Sequence, residues 1–233
     1  MKAFRFKKYF MIKLTNRYIP LIFLLFSMQI LFSQESSLEK HNKKTYTTKH
    51  ISEAPVLDGV LNDESWKFVE WGTDFLESEP NENTLPSEQT KYKLIYDDKN
   101  IYVAIKSYDA AKDSIVRRLS RRDGFVGDRV SVIIDSYHDL RTAFIFTVTA
   151  AGVKGDEIAT DNGDQIDDSW NPIWYAKTAL DEDGWVAEMK IPLSQLRFGK
   201  AKEQVWGFNV SRYFYRKSER SVWNRVPAVS YTH

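Results

Sequence analysis

The most distinctive chemistry in this chain lies in an acidic segment, residues 161–174, that contains two tryptophans. Exposing Trp170 and Trp174 in a polar loop is costly, and flat rings beside Asn and Asp groups suit the stacking and hydrogen bonding that a sugar needs. Trp174 is therefore the first candidate for a sugar-stacking ring, with Trp170 and Asn171 beside it. The alternative is a long solvated loop, because Asn162-Gly163 is a turn dipeptide.

Three residues elsewhere are further candidates for ligand contact. Trp71 begins a strand that looks exposed, and its ring could form a second sugar platform. Alternation along residues 101–108 places Lys106 and Tyr108 on the face opposite the apolar one. That face either contacts a ligand or is simply solvated.

The acidic segment also offers oxygen ligands for a metal ion. A hard cation such as Ca²⁺ takes six to eight oxygen ligands, and Asp135 and Asp156 could assist the carboxylates of the segment. The four aspartates of the segment are Asp161, Asp164, Asp167 and Asp168. A structural calcium ion is therefore the candidate cofactor. The spacing of these aspartates differs from that of an EF-hand loop, so no calcium-binding motif supports it.

Motifs for other chemistry are absent from the sequence. The four histidines lack zinc-binding spacing, and neither a Gly-x-Ser-x-Gly elbow nor a phosphate-binding glycine loop occurs. Glycoside hydrolysis needs two carboxylates, and among 32 Asp and Glu residues no pair can be singled out. We therefore expect a binding module, with a glycoside hydrolase as an alternative.

Local patterning indicates which elements position these residues. Period-2 runs predict strands over residues 90–96, 101–108, 129–135, 143–149, 153–159, 174–180, 185–191, 205–215 and 221–227. Short helical turns are predicted at residues 63–68, with Asn62 as N-cap, and at residues 192–196. Many short strands without helices between them predict an all-β, antiparallel β-sandwich that is jelly-roll-like, with one or two helical turns. Trp66 is expected to anchor its core.

The N-terminus has the pattern of a secretory signal peptide. Six basic residues precede an apolar run over residues 19–31, and a small-residue cleavage site follows at Ser33. Residues 1–33 are predicted to be removed, 34–50 to form a flexible polar lead-in, and 51–233 to form the domain. The alternative is a retained N-terminal anchor. Export predicts the periplasm, outer membrane or cell surface as the location.

Charge and cysteine content limit the partners. Removing residues 1–33 would take six of the 33 Lys and Arg and none of the 32 Asp and Glu, leaving a net charge of about −5. An acidic exported protein has no broad electrostatic reason to bind nucleic acid, even with the arginine-rich residues 117–122. Without cysteine, stability must come from an ordinary hydrophobic core.

Four stretches in order resemble the family 9 carbohydrate-binding modules. They are residues 57–66 (LDGVLNDESW), 96–104 (YDDKNIYVA), 127–135 (GDRVSVIID) and 185–193 (WVAEMKIPL). The resemblance implies a non-catalytic domain that binds a polysaccharide or oligosaccharide during polysaccharide breakdown, often with structural calcium. An Asn-x-x-Trp pair of that family contacts sugar, which Asn171 and Trp174 match. Lys106 and Tyr108 occupy two sugar-contacting strand positions but differ from the family in residue type.

The resemblance is greatest to a branch in which this domain precedes a large outer-membrane β-barrel of uncharacterised function. It implies that the chain is truncated before a C-terminal barrel and that this barrel is a partner of the domain. It also leaves open a structural domain packed on the barrel without sugar binding. Exposure of Trp170 and Trp174 would favour sugar binding, and their burial would favour the structural role.

Overall fold

The alternating runs of the sequence form two sheets in the computed structural model, which describes residues 43–201 and 203–225. The five-stranded sheet contains, in spatial order, β1 (Lys49–His50), β3 (Thr90–Tyr96), β4 (Asn100–Tyr108), β10 (Gly184–Pro192) and β9 (Tyr175–Leu180). The seven-stranded sheet contains β2 (Leu76–Glu79), β12 (Glu219–Val222), β11 (Gly207–Phe214), β5 (Arg129–Asp135), β6 (Ala143–Thr149), β7 (Lys154–Thr160) and β8 (Gln165–Asp167). Neighbouring strands are antiparallel except β1 and β3, so the predicted antiparallel sandwich is confirmed.

The helical content of the described residues is limited to short 3₁₀ turns. These are Glu64–Phe68, Lys112–Ser114, Asp161–Gly163, Leu193–Gln195 and Tyr215–Lys217. The first and fourth match the two turns expected from the sequence. The N-cap of the first is Asp63, without a side-chain capping bond, so the assignment of Asn62 is wrong by one residue. No described helix is long and apolar enough to cross a membrane.

One hydrophobic core joins the inner faces of the two sheets. Ile101, Val103 and Ile105 of β4 face Val130 and Val132 of β5 in this core, and all five are buried. β-branched side chains suit this arrangement because they pack well on a pleated surface. The apolar face predicted for β4 is therefore confirmed.

The outer face of the five-stranded sheet is partly covered by the chain that precedes it. Tyr102 and Ala104 of β4 pack there with Ile51, Trp66 and Val69 in a second hydrophobic cluster. Trp66 is 2% exposed, which confirms it as a core anchor. The alternative of a solvated face on β4 is wrong over this area.

The described part of the predicted lead-in, residues 43–50, belongs to the folded domain. β1 pairs with β3, and Tyr46 packs against both hydrophobic clusters. The Tyr46 hydroxyl donates a hydrogen bond to the backbone oxygen of Glu70 at 2.6 Å. The prediction of a flexible lead-in is wrong here, because one aromatic ring in a polar stretch is enough to attach it. Residues 1–42 and 226–233, which include the predicted signal peptide, lie outside the described residues.

A buried carboxylate connects the first and last of the four motifs. Glu188 of β10 is fully buried and accepts hydrogen bonds from Asp58 N (3.0 Å), Gly59 N (2.7 Å) and Trp66 Nε1 (3.1 Å). Burial raises the pKa of Glu188, and the three donated bonds partly oppose that shift. Gly59 has a φ of +91°, and a Cβ there would lie 2.6 Å from Cβ of Ala179. These three hydrogen bonds, called the Glu188 latch, hold the covering segment, residues 51–69, on the outer face of the sheet.

Candidate functional site

Trp71 lies on the outer face of the five-stranded sheet, directly after the covering segment. Its neighbour Gly72 forms an isolated antiparallel bridge with Tyr92 of β3, with hydrogen bonds of 2.8 and 3.0 Å. Tyr92 points into the core, so alternation turns Trp71 outward. A Cβ on Gly72 would lie 2.3 Å from the Tyr92 ring, and glycine is therefore required at this bridge.

Two lysines of β3 surround the partly exposed Trp71 ring. The Nζ atoms of Lys91 and Lys93 lie 4.4 and 4.9 Å from its centroid, within cation–π range. Lys93 also donates a hydrogen bond to the backbone oxygen of Trp66 at 2.6 Å, and burial lowers its pKa. Lys91 Nζ lies 5.1 Å from the Tyr108 ring and so connects the two aromatic rings.

Lys106 and Tyr108 complete this group on the outer face. Lys106 is buried, forms an ion pair with Asp181, and has its Nζ 5.2 Å from the Tyr108 ring. The structure therefore brings Trp71, Lys106 and Tyr108 together, three of the six ligand-binding residues expected from the sequence. Lys91 was not among the residues predicted from the sequence, although its period-2 position on β3 places it on the same face as Lys106.

Trp71 also borders a cleft of about 660 Å³, named here the Trp71 cleft, between residues 44–49 and 68–74. Phe68, at 57% exposure, supplies a second ring. The polar residues that line the cleft are Lys44, Thr45, Thr47, Lys49, Glu70, Thr73 and Asp74. Flat rings beside hydroxyl and charged groups can contact the C–H faces and the hydroxyls of a sugar.

Trp174 lies in the core. It is 1% exposed, its ring centroid is 5.4 Å from that of Phe146, and its Nε1 donates a hydrogen bond to Asp156 Oδ1 at 2.9 Å. The expectation of an exposed sugar-stacking ring at Trp174 is wrong. Buried Asp156 on β7 gives the indole N–H its partner, so the ring can leave water without an unsatisfied donor.

Trp170 and Asn171 do not form a binding surface with Trp174. Trp170 is half-buried, with its ring 5.1 Å from that of Phe144. Asn171 is exposed, and its Nδ2 donates a hydrogen bond to the backbone oxygen of Ser169 at 2.8 Å. Trp170 and Trp174 both pack against Phe146, with ring centroids 5.5 and 5.4 Å away, so of the three predicted residues only Asn171 is exposed.

The four aspartates of the acidic segment do not converge on a metal site. No group of three or more His, Cys, Asp or Glu that could hold a metal ion occurs within residues 43–201 and 203–225. Asp161 accepts hydrogen bonds from Arg141 and Gln165, and Asp167 accepts two from Ser169. The predicted ligands Asp161, Asp164, Asp167 and Asp168 therefore do not form a metal-binding group in the described part of the chain.

Comparisons with known proteins agree with this architecture. The family model described as "Carbohydrate family 9 binding domain-like" matches residues 57–228. Two solved structures of a family 9 carbohydrate-binding module from Caldicellulosiruptor kristjanssonii are similar, both with a TM-score of 0.53. The glucose complex is 21% identical and covers 77% of this chain and 91% of that one; the cellotriose complex is 22% identical and covers 79% and 86%.

A third solved structure, of a candidate carbohydrate-binding protein from Bacteroides uniformis, is also similar. It has a TM-score of 0.62 at 12% identity and covers 79% of this chain and 91% of that one. At these identities, structural likeness establishes the fold alone. No curated protein matches the chain significantly.

Proposed function

Because the chain belongs to the carbohydrate family 9 binding domain-like family, we propose that it binds a saccharide at the Trp71 cleft without catalysing a reaction on it. The observation that carries the proposal is the partly exposed Trp71 ring, which borders a cleft lined by hydroxyl and charged groups. Stacking removes apolar ring area from water only when ligand is present, so the ring can serve binding without serving the fold.

The relatives with bound glucose and cellotriose support a gluco-oligosaccharide as the first ligand to test. A cleft of about 660 Å³ falls within the ordinary range for small-molecule sites, so a short oligosaccharide fits its size. The signal-peptide pattern supports export, and polysaccharide breakdown outside the inner membrane is the process in which we place the protein.

A second candidate is a structural domain that packs on a C-terminal outer-membrane barrel and binds no sugar. The burial of Trp174 favours this role, because an exposed ring in the acidic loop would have indicated sugar binding. The two candidates differ in one measurable property, which is whether the isolated domain retains any saccharide.

We expect Trp71→Ala to weaken cellotriose binding by about 1.4–2.8 kcal/mol, a tenfold to hundredfold loss, because the stacked ring area is removed. Isothermal titration calorimetry measures this loss. Trp206→Ala is the matched control, since Trp206 is also partly exposed but does not line the cleft.

Equal affinity in Trp71→Ala and in the unaltered domain would reject the Trp71 cleft as the site. Retention of no soluble or insoluble polysaccharide by the unaltered domain would reject saccharide binding and favour the structural candidate.

A further inference from the structure

A second cleft, of about 370 Å³, lies at the β9 edge of the five-stranded sheet. It is lined by Leu57, Gly152, Lys154, Tyr175, Ala176, Lys177 and Lys190. Lys190 of β10 pairs with Tyr175 of β9, and Glu188 pairs with Lys177, so Tyr175, Lys177 and Lys190 share the outer face. This group of residues is called the lysine cleft below.

The lysine cleft concentrates positive charge that nearby carboxylates do not neutralise. None of its lining residues is acidic, and within residues 43–201 and 203–225 none of its three lysines forms an ion pair. Glu188 shares the face, but its carboxylate already accepts the three hydrogen bonds of the latch. Asp156 attracts Lys154, but Asp156 is itself paired with Arg122.

Two of these lysines are held in place by neighbouring groups. Lys154 Nζ donates a hydrogen bond to the backbone oxygen of Trp174 at 2.7 Å, and burial and Arg122 lower its pKa. Lys190 Nζ lies 5.9 Å from the ring centroid of Tyr175 and at the same distance from that of Tyr102. The ammonium groups of Lys154 and Lys190 are therefore positioned by the fold, whereas Lys177 is exposed.

Tyr175 adds a recognition element for a sugar ring. Its side chain is 53% exposed at the cleft, and a flat ring beside ammonium groups suits a pyranose that carries an anionic substituent. Three like charges lining one small cleft repel each other, and an anionic ligand relieves that repulsion. A neutral sugar would contact the ring but leave the repulsion in place.

We infer that the lysine cleft binds an acidic saccharide, one that carries carboxylate or sulfate groups, at a site separate from the Trp71 cleft. The inference rests on the proposed function only for the saccharide nature of the ligand. The two clefts lie toward opposite sides of the five-stranded sheet, because β9 forms one edge while β1 and β3 lie at the other.

The test is a calorimetric titration of the unaltered domain with oligogalacturonate, a sulfated dextran oligomer, cellotriose and inorganic sulfate, at low and high salt. We expect at least one acidic saccharide to bind and to weaken as salt screens the lysines. The double variant Lys177→Gln/Lys190→Gln should lower its affinity about tenfold or more. The double variant Lys99→Gln/Lys112→Gln, which removes the same charge from exposed positions outside both clefts, should change it less than about twofold.

Four outcomes would overturn the inference. Equal losses of affinity for the acidic saccharide in the two double variants would indicate attraction to the overall positive charge of the surface. A loss of that affinity in Trp71→Ala alone would place the acidic ligand in the Trp71 cleft. Inorganic sulfate binding as tightly as the oligosaccharides would indicate a simple anion site. Cellotriose binding without binding of either acidic saccharide would reject the lysine cleft while leaving the proposed function intact.

Discussion

Trp174→Ala should lower the free energy of unfolding by about 3–5 kcal/mol, although its sequence context suggested an exposed ring. The indole is 1% exposed against Phe146, so truncation leaves a cavity in the inter-sheet core. It also removes the N–H that Asp156 accepts at 2.9 Å, and Asp156 is a buried carboxylate. Urea denaturation monitored by circular dichroism measures the change.

Trp71→Ala is the matched control for this prediction, because its partly exposed ring lies on the outer face. The urea denaturation midpoint of Trp71→Ala should remain close to that of the unaltered domain. A stable Trp174→Ala domain beside an unfolded Trp71→Ala domain would show that core and site have been exchanged.

Glu188→Ala should destabilise the domain by a similar amount, about 3–5 kcal/mol, because it leaves three donors, two of them buried, without an acceptor. These donors are Asp58 N, Gly59 N and Trp66 Nε1, and together they attach the covering segment to the sheet. Glu64→Ala is the control, since the Glu64 carboxylate is exposed and forms a surface ion pair with Lys67. An unchanged denaturation midpoint in Glu188→Ala would reject the Glu188 latch.

The pH dependence of the latch follows from the raised pKa of Glu188. A carboxyl whose pKa is higher in the folded state stabilises fully below its unfolded value of about 4.3, and loses this contribution as pH rises through the folded pKa. Glu188→Gln has no such ionisation. The stability advantage of the unaltered domain over Glu188→Gln should therefore shrink as pH rises from acid toward neutral.

Local sequence patterns were sufficient to predict most of the strands. Residues 90–96, 129–135 and 143–149 form strands with the predicted bounds, because alternation and turn residues act within a few positions. Trp66 could likewise be assigned to the core because it follows a recognisable Asp-Gly turn. These features depend on neighbours in the sequence.

Exposure of the aromatic residues in the loops could not be read in the same way. Trp174, which precedes β9, is buried because it packs against Phe146 and because Asp156 on β7 of the seven-stranded sheet accepts its indole N–H. Trp71 faces outward because Gly72 pairs with Tyr92, twenty residues away. Both outcomes depend on contacts between distant segments, which a single sequence does not specify.

For the lead-in, the aromatic residue Tyr46 was the local signal that this stretch is attached to the domain.

The most direct test of the Trp71 cleft is a nuclear magnetic resonance titration of the seven tryptophan indole N–H groups with cellotriose. Binding at this cleft should shift the Trp71 indole resonance in proportion to saturation, because its ring borders the ligand. Trp66, Trp174 and Trp185 are buried at 1–2% exposure and do not line the cleft, so their resonances should stay nearly unchanged. A silent Trp71 resonance, with shifts at Trp170 or Trp174, would contradict the account and return the site to the acidic loop.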